Sequence, residues 1–329
     1  MKKGKRVLSV ILIIVLMLAA VIAVNHNLAW VLLRNFFPAK IRMDTTAWEG
    51  GKSYEKLAYA SASPSQYLDL YVPDSDTPLP LFVLIHGGGF ISGDSQTRQA
   101  QFLYRYFRNH GFACASVNYR LAGEAPFPAA IEDVRSAVHF LADNAAQYNL
   151  DAEKIAVWGE SAGGYLAATE AVTETEVPIS ALVDFYGVAD FPINVEQLRA
   201  EGIPRFVLNI AGSWSNGKLE GFHSYEEYWV RKAYEDWTEE EFTGASAVYK
   251  ARHCVNPKLR SMILHGDADI TVAYDQSILL RDALAESCGA DRVDMQLLHG
   301  LMHAADGFYT DAQLAEVEAF LRAALQTES

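Results

Sequence analysis

Lys154-Ile-Ala-Val-Trp-Gly-Glu-Ser-Ala-Gly-Gly-Tyr-Leu-Ala-Ala168 is the stretch around which the chain is arranged. Ile155 to Trp158 reads as a short apolar strand. It runs straight into Gly159-Glu160-Ser161-Ala162-Gly163, and a helix of small and apolar residues follows. A G-x-S-x-G pattern between strand and helix predicts a sharp elbow. The positions two before and two after the serine come against each other and leave no room for side chains, and both are glycine. The serine at the apex is forced into a strained backbone conformation that holds its hydroxyl clear of the sheet, beside a helix N-terminus. Ser161 is thus a candidate nucleophile. The pentapeptide alone also fits a glycine-rich turn without chemistry, so the surrounding sequence has to decide.

Upstream, Leu81 to Ile85 is a continuous apolar run, as suits a strand buried on both faces of a sheet. It ends in His86-Gly87-Gly88-Gly89-Phe90. Backbone without Cβ atoms approaches a substrate closely, so the amides of Gly88 and Gly89, with that of Ala162 after the serine, are candidate donors to an oxyanion. A flexible turn is the alternative reading of the glycines, and His86 is expected to hold this loop. Gln66 to Val72 alternates with period two and stops at Pro73, which predicts an antiparallel edge strand. Phe112 to Tyr119 is a further buried strand. Ile131, Val134, Val138 and Leu141 share one helical face, so the segment from Ala129 to Leu141 is expected to cross over to the elbow strand as in a parallel α/β sheet. On that helix His139 and Asp133 read as solvated, with Asp133 as a brace for the site the other reading.

The chain has 329 residues, 50% hydrophobic and 21% charged, with a formal net charge of −14. Lys2, Lys3, Lys5 and Arg6 precede the first apolar run, so the remainder is still more acidic, which argues against nucleic acid or anionic lipid as a partner. Val7 to Val24 carries no charge and is long enough to cross a bilayer as a helix. The expected division is a cytoplasmic cationic segment (1–6), a transmembrane signal-anchor (7–24), a linker (25–48) and a catalytic domain (49–329). The positive-inside rule then places that domain outside the cytoplasm. A removed signal cut near Ala23 is the alternative, giving a secreted chain. Trp30, Phe36 and Phe37 follow the span as interfacial aromatics or as part of a simple linker. Cys114 reads as a small buried hydrophobe. A Cys254–Cys288 bridge is open to the chain in an oxidising compartment, but spacing does not establish it. None of the three cysteines has metal-site spacing.

His86-Gly-Gly-Gly89, Asn118-Tyr-Arg-Leu-Ala-Gly-Glu-Ala-Pro-Phe-Pro-Ala129 and Gly159-Glu-Ser-Ala-Gly-Gly164 occur in an order and at spacings that resemble the α/β-hydrolase carboxylesterases. The hormone-sensitive-lipase-like and ferulic-acid-esterase-like branches are the ones in view, and the resemblance spans roughly residues 66 to 310. One departure is Gly123, where the family usually has proline before Glu124. The resemblance implies an α/β-hydrolase fold: a mostly parallel sheet, helices on both faces and a helical cap, here about residues 190–248. It also implies an acid and then a histidine following the serine.

A serine hydroxyl needs a base to take its proton, and the base needs an orienting acid. Arg260 to Leu264 opens into His265-Gly-Asp-Ala-Asp-Ile-Thr-Val272, and Val293 to Leu298 opens into His299-Gly-Leu-Met-His303. Asp267 and Asp269 compete for the acid. Asp269 sits where the family pattern H-G-x-x-D-x-x-V has it, and Asp267 is placed to serve the turn. His303 matches the family position of the base, with His299 and His265 as competitors. The expected site is Ser161, Asp269 and His303 with Gly88, Gly89 and Ala162, and no metal or organic cofactor is called for. In the cap, Ser224-x-x-Glu227 and Thr238-x-x-Glu241 predict two helix starts. Its rings, Trp214, Trp229 and Trp237 with Phe206, Phe222, Tyr225, Tyr228 and Tyr234, are expected chiefly to pack the cap. The expected activity is hydrolysis of short to medium carboxylic esters. A serine peptidase or acyl-peptide hydrolase, or a membrane-tethered binding protein with a disabled site, are the other readings, and fold alone does not separate them.

Overall fold

A strand buried on both faces has to be covered on both sides, and the eight-stranded sheet of this protein is covered in that way by two apolar layers. The computed structural model describes residues 50–191, 193 and 224–326. The chain divides into two units, Met1–Ile41 and Arg42–Ser329, and everything described belongs to the second. Its strands are β1 (Gly51–Ala58), β2 (Tyr67–Pro73), β3 (Leu79–Ile85), β4 (Ala113–Val117), β5 (Leu150–Glu160), β6 (Ile179–Phe185), β7 (Arg260–Gly266) and β8 (Val293–Leu298), in the spatial order β1-β2-β4-β3-β5-β6-β7-β8. The pairs β1–β2 and β2–β4 are antiparallel and the other five are parallel.

Side chains alternate between two apolar layers. Leu81, Val83 and Ile85 of β3 face the layer built with α2 (Ala129–Asp143) and α3 (Ala162–Thr173), whereas Phe82 and Leu84 face the opposite layer. That second layer is formed with α1 (Arg98–Phe107) and with the C-terminal helix over Asp311–Leu325, which buries Leu314, Val317 and Leu321. The α/β-hydrolase expectation therefore holds for a mostly parallel sheet flanked by helices.

One expectation needs correction, and another falls outside the described residues. The strand β2 is antiparallel, as its period-two pattern indicated, but it is not an edge, because β1 pairs outside it and all its residues after Tyr67 are buried. Asp69, which lent the strand its alternation, is itself buried and accepts hydrogen bonds from Lys56 N at 2.8 Å, Ser95 Oγ at 2.5 Å and Gln96 Nε2. Among the described residues no helix is long and apolar enough to cross a membrane, and the expected anchor over residues 7–24 lies outside them, as does the following linker.

Both predicted helix starts in the cap are present. Helix α4 (Tyr225–Val230) is capped by Ser224, whose hydroxyl accepts from Glu227 N. Helix α5 (Glu239–Ala245) begins with a full capping box, Thr238 accepting from Glu241 N while Glu241 accepts from Thr238 N. Helix α6 (Ala247–Arg252) follows and leads to β7. Trp229, Trp237 and Tyr228 are buried as packing residues, whereas Phe206, Trp214 and Phe222 lie outside the described residues.

Candidate active site

The elbow between β5 and α3 is as tight as two glycines allow. A Cβ on Gly159 would lie 2.0 Å from Gly163 O, and one on Gly163 would lie 2.1 Å from Ile85 O. Between them Ser161 has φ 53° and ψ −122°, a strained conformation for a residue with a side chain. Its amide donates to Phe185 O at 3.0 Å, so the apex is tied to β6 and the hydroxyl is turned outward.

β7 and β8 deliver the other two groups. His303 Nδ1 lies 2.6 Å from Asp269 Oδ2, and His303 Nε2 lies 3.0 Å from Ser161 Oγ. An ionised carboxylate only accepts, so Nδ1 carries the proton and Nε2 is left to accept from the serine hydroxyl. Asp269 is buried, and its Oδ1 accepts from Thr271 N at 2.8 Å and Val272 N at 3.0 Å. Burial by itself pushes this carboxyl up. The neighbouring His303 and His265 outweigh that and hold it well below the usual carboxylate range.

The competing residues are accounted for as well. Asp267 Oδ2 accepts from His299 Nδ1 at 2.7 Å, and its Oδ1 accepts from Gly300 N at 2.6 Å. The His299 side chain is 98% exposed, so this is a surface pair that closes a turn. His265 is fully buried and does not reach Ser161; its Nε2 lies 3.3 Å from Asp269 Oδ2.

The glycine loop packs on the serine. A Cβ on Gly87 would come 3.1 Å from Ser161 Cβ, so the loop has to pass without a side chain there. Gly88 and Gly89 have φ +115° and +61°, and the Gly88 carbonyl accepts from Ile91 N and Ser92 N to close the turn. His86 braces the loop as expected. It is fully buried and stacked on Tyr119 with ring centroids 4.3 Å apart, and its Nδ1 sits 2.7 Å from Gly87 O. Burial lowers it to about 4, so it is neutral at pH 7 and donates from Nδ1.

One buried network next to the serine escaped the sequence reading, and a second departs from the solvated reading of Asp133. Glu160, the residue before the serine, accepts from Tyr186 Oη at 2.6 Å and Tyr309 Oη at 3.3 Å, and the Tyr186 ring packs edge-on to His303 with centroids 4.8 Å apart. Burial raises the Glu160 carboxyl, and the Tyr186 hydroxyl bond opposes this. Asp133, read as solvated, is fully buried instead: it accepts from Arg120 N at 2.8 Å, Arg120 Nη2 at 2.7 Å and Gln66 Nε2 at 2.7 Å. Its partners lie on other elements, and helical periodicity carries no trace of them. His139 is half-buried and lies 3.0 Å from Glu174 Oε2. Cys114 is buried in β4, and Cys254 and Cys288 are free thiols that both approach Asn256 O, at 3.3 and 3.7 Å. Among the described residues, no group of three or more His, Cys, Asp or Glu side chains is placed to hold a metal ion.

Comparison with known proteins places the chain among esterases of this fold. Esterase LipI of Mycobacterium tuberculosis is 42% identical over 93 residues, covering 27% of this chain and 28% of that protein. The acetyl esterase of Salmonella paratyphi A is 30% identical over 181 residues, 52% of each chain. The matched region thus spans about half or less of these curated relatives. Among solved structures, a truncated carbohydrate esterase from gut microbiota superposes with a TM-score of 0.68 at 23% identity, over 84% of this chain and 98% of that one, which establishes the shared fold. The BD-FAE family model matches residues 68–284, the span from β2 into the helix after β7, which contains the glycine loop, the elbow and Asp269. The chain belongs to the BD-FAE family.

Proposed function

We propose that this protein is a serine carboxylesterase that hydrolyses short to medium carboxylic esters by two-step acyl transfer. The observation that carries the reading is the unbroken line from Asp269 through His303 to Ser161, at 2.6 and 3.0 Å, beside a glycine loop in contact with the serine. In this mechanism His303 Nε2 takes the Ser161 proton as Oγ attacks the ester carbonyl. The amides of Gly88, Gly89 and Ala162 receive the developing oxyanion. Protonated His303, oriented by Asp269, gives its proton to the leaving alkoxide, and the acyl group stays on Oγ. Water then repeats the sequence, with His303 as base, and releases the acid. The esterase names borne by the matched relatives point to the same substrate class. We further propose that residues 7–24 form an uncleaved anchor holding the catalytic domain outside the cytoplasm.

The test is hydrolysis of p-nitrophenyl esters from acetate to long acyl chains by the full-length protein and by Ser161→Ala. Turnover is expected on the short and medium chains, with kcat falling by about 10⁶-fold in the variant. An unchanged rate in folded Ser161→Ala removes the serine from the mechanism. Hydrolysis of matched anilides but not esters replaces the esterase with a peptidase.

A further inference from the structure

His265 is the penultimate residue of β7, its side chain is fully buried, and both ring nitrogens are engaged. Nδ1 lies 2.7 Å from Ser277 Oγ, on the helix over Asp275–Cys288. Nε2 lies 3.0 Å from Val272 O and 3.3 Å from Asp269 Oδ2. A carbonyl oxygen and a carboxylate both only accept, so Nε2 carries a proton, and the Ser277 hydroxyl can serve Nδ1 as donor or acceptor.

Asp269 therefore receives three hydrogen bonds and has a second imidazole N–H against it. Thr271 N and Val272 N donate to Oδ1 and His303 Nδ1–H donates to Oδ2, while His265 Nε2–H, which donates to Val272 O at 3.0 Å, stands 3.3 Å from the same Oδ2. Rotating the carboxyl away from His303 would break this set. The same imidazole ties the loop at Val272 and the helix at Ser277, so the loop carrying the acid is held at both ends of one ring. We infer that His265 is a positioning residue of the reaction, setting a second imidazole N–H against the carboxylate that holds Asp269 in register with His303. The inference rests on the proposed triad.

His265→Asn and His265→Gln separate the two ring nitrogens, because an Asn amide reaches the place of Nδ1 and a Gln amide the place of Nε2. The full-length variants are read by kcat and KM on p-nitrophenyl acetate and by the far-downfield proton resonance of the His303 Nδ1–H to Asp269 bond. In His265→Asn, kcat should fall by about 10- to 100-fold, the range for one hydrogen bond to a charged group, with KM within about twofold. The downfield resonance should be lost. In His265→Gln the resonance should persist, with kcat within about threefold of wild type. Wild-type kcat and resonance in His265→Asn overturn the inference, and so does an equal fall in both variants, which would mark a packing role. If His265→Asn does not fold, Ser277→Ala frees the ring to turn and is read the same way, an unchanged resonance and kcat again overturning the assignment. Ser161→Ala in the same assay keeps the two levels apart: activity in that variant removes the triad, whereas its loss alongside wild-type behaviour in His265→Asn removes only the role of His265.

Discussion

Asp267 and Asp269 stand two positions apart in one loop, and their surroundings give them different work. Asp267 meets an exposed histidine and a turn amide, while Asp269 is buried under two imidazoles and two amides. Asp184 of β6 shows what burial does without such a set. It is fully buried in a niche that exists because Gly164 and Gly187 lack side chains: a Cβ there would lie 2.1 and 2.3 Å from its Oδ1. Burial pushes its carboxyl up from 3.8 to about 7. Between those values the folded chain binds more protons than the unfolded chain, so its contribution to stability falls as pH rises through the window, by up to about 1.4 kcal/mol per pH unit. Asp184→Asn removes the titration. Its melting temperature relative to wild type should therefore rise between pH 5 and pH 8, and a difference that stays constant across that range would count against a titrating Asp184.

The short helix α4 acts as a strut for the glycine loop. Trp229 is fully buried and stacks face to face on Phe90, with centroids 3.9 Å apart and planes 5° from parallel. Phe90 has φ +63°, an unfavourable conformation for a bulky residue, and the stack holds it there. One turn earlier, the Tyr225 ring lies 3.1 Å from where a Gly89 Cβ would be, so the cap closes over the loop that is to donate to the oxyanion. Trp229→Ala should cost about 3–5 kcal/mol of stability and loosen this loop. The indole N–H has no hydrogen-bond partner among the described residues, so Trp229→Phe should retain most of the function. A trifluoromethyl ketone, whose adduct places an oxyanion in the hole, reads the loop directly. Its affinity should drop by about tenfold or more in Trp229→Ala and little in Trp229→Phe, and equal affinity in all three proteins would detach α4 from the hole. Capping-box patterns announced two of the cap's helices from the chain itself, whereas the stack joins two segments far apart in sequence.

Parallel pairing of β3, β5, β7 and β8 brings their C-terminal ends to one edge of the sheet, where the glycine loop, Ser161, Asp269 and His303 meet although His303 lies 142 residues from the serine. The proposed anchor is a matter for the complete chain. Full-length protein expressed in its host should sediment with membranes and resist release by high salt, because an uncharged helix-length run over residues 7–24 is held by the hydrocarbon and not by charge. A soluble chain beginning near residue 24 would replace the anchor with a cleaved signal. Neighbouring residues alone were enough to mark the elbow at Gly159-Glu160-Ser161, the buried strand at Leu81–Ile85 and the caps at Ser224 and Thr238, since backbone strain, continuous apolarity and capping are short-range properties. The resemblance then ranked Asp269 and His303 above their rivals by order along the chain. Burial and bonding across the fold decided the rest: that Asp133 is an internal brace, that β2 is flanked on both sides, that Asp267 and His299 pair with each other, and that His265 serves the acid. Each of these depends on distances between segments remote in sequence, which local periodicity does not encode.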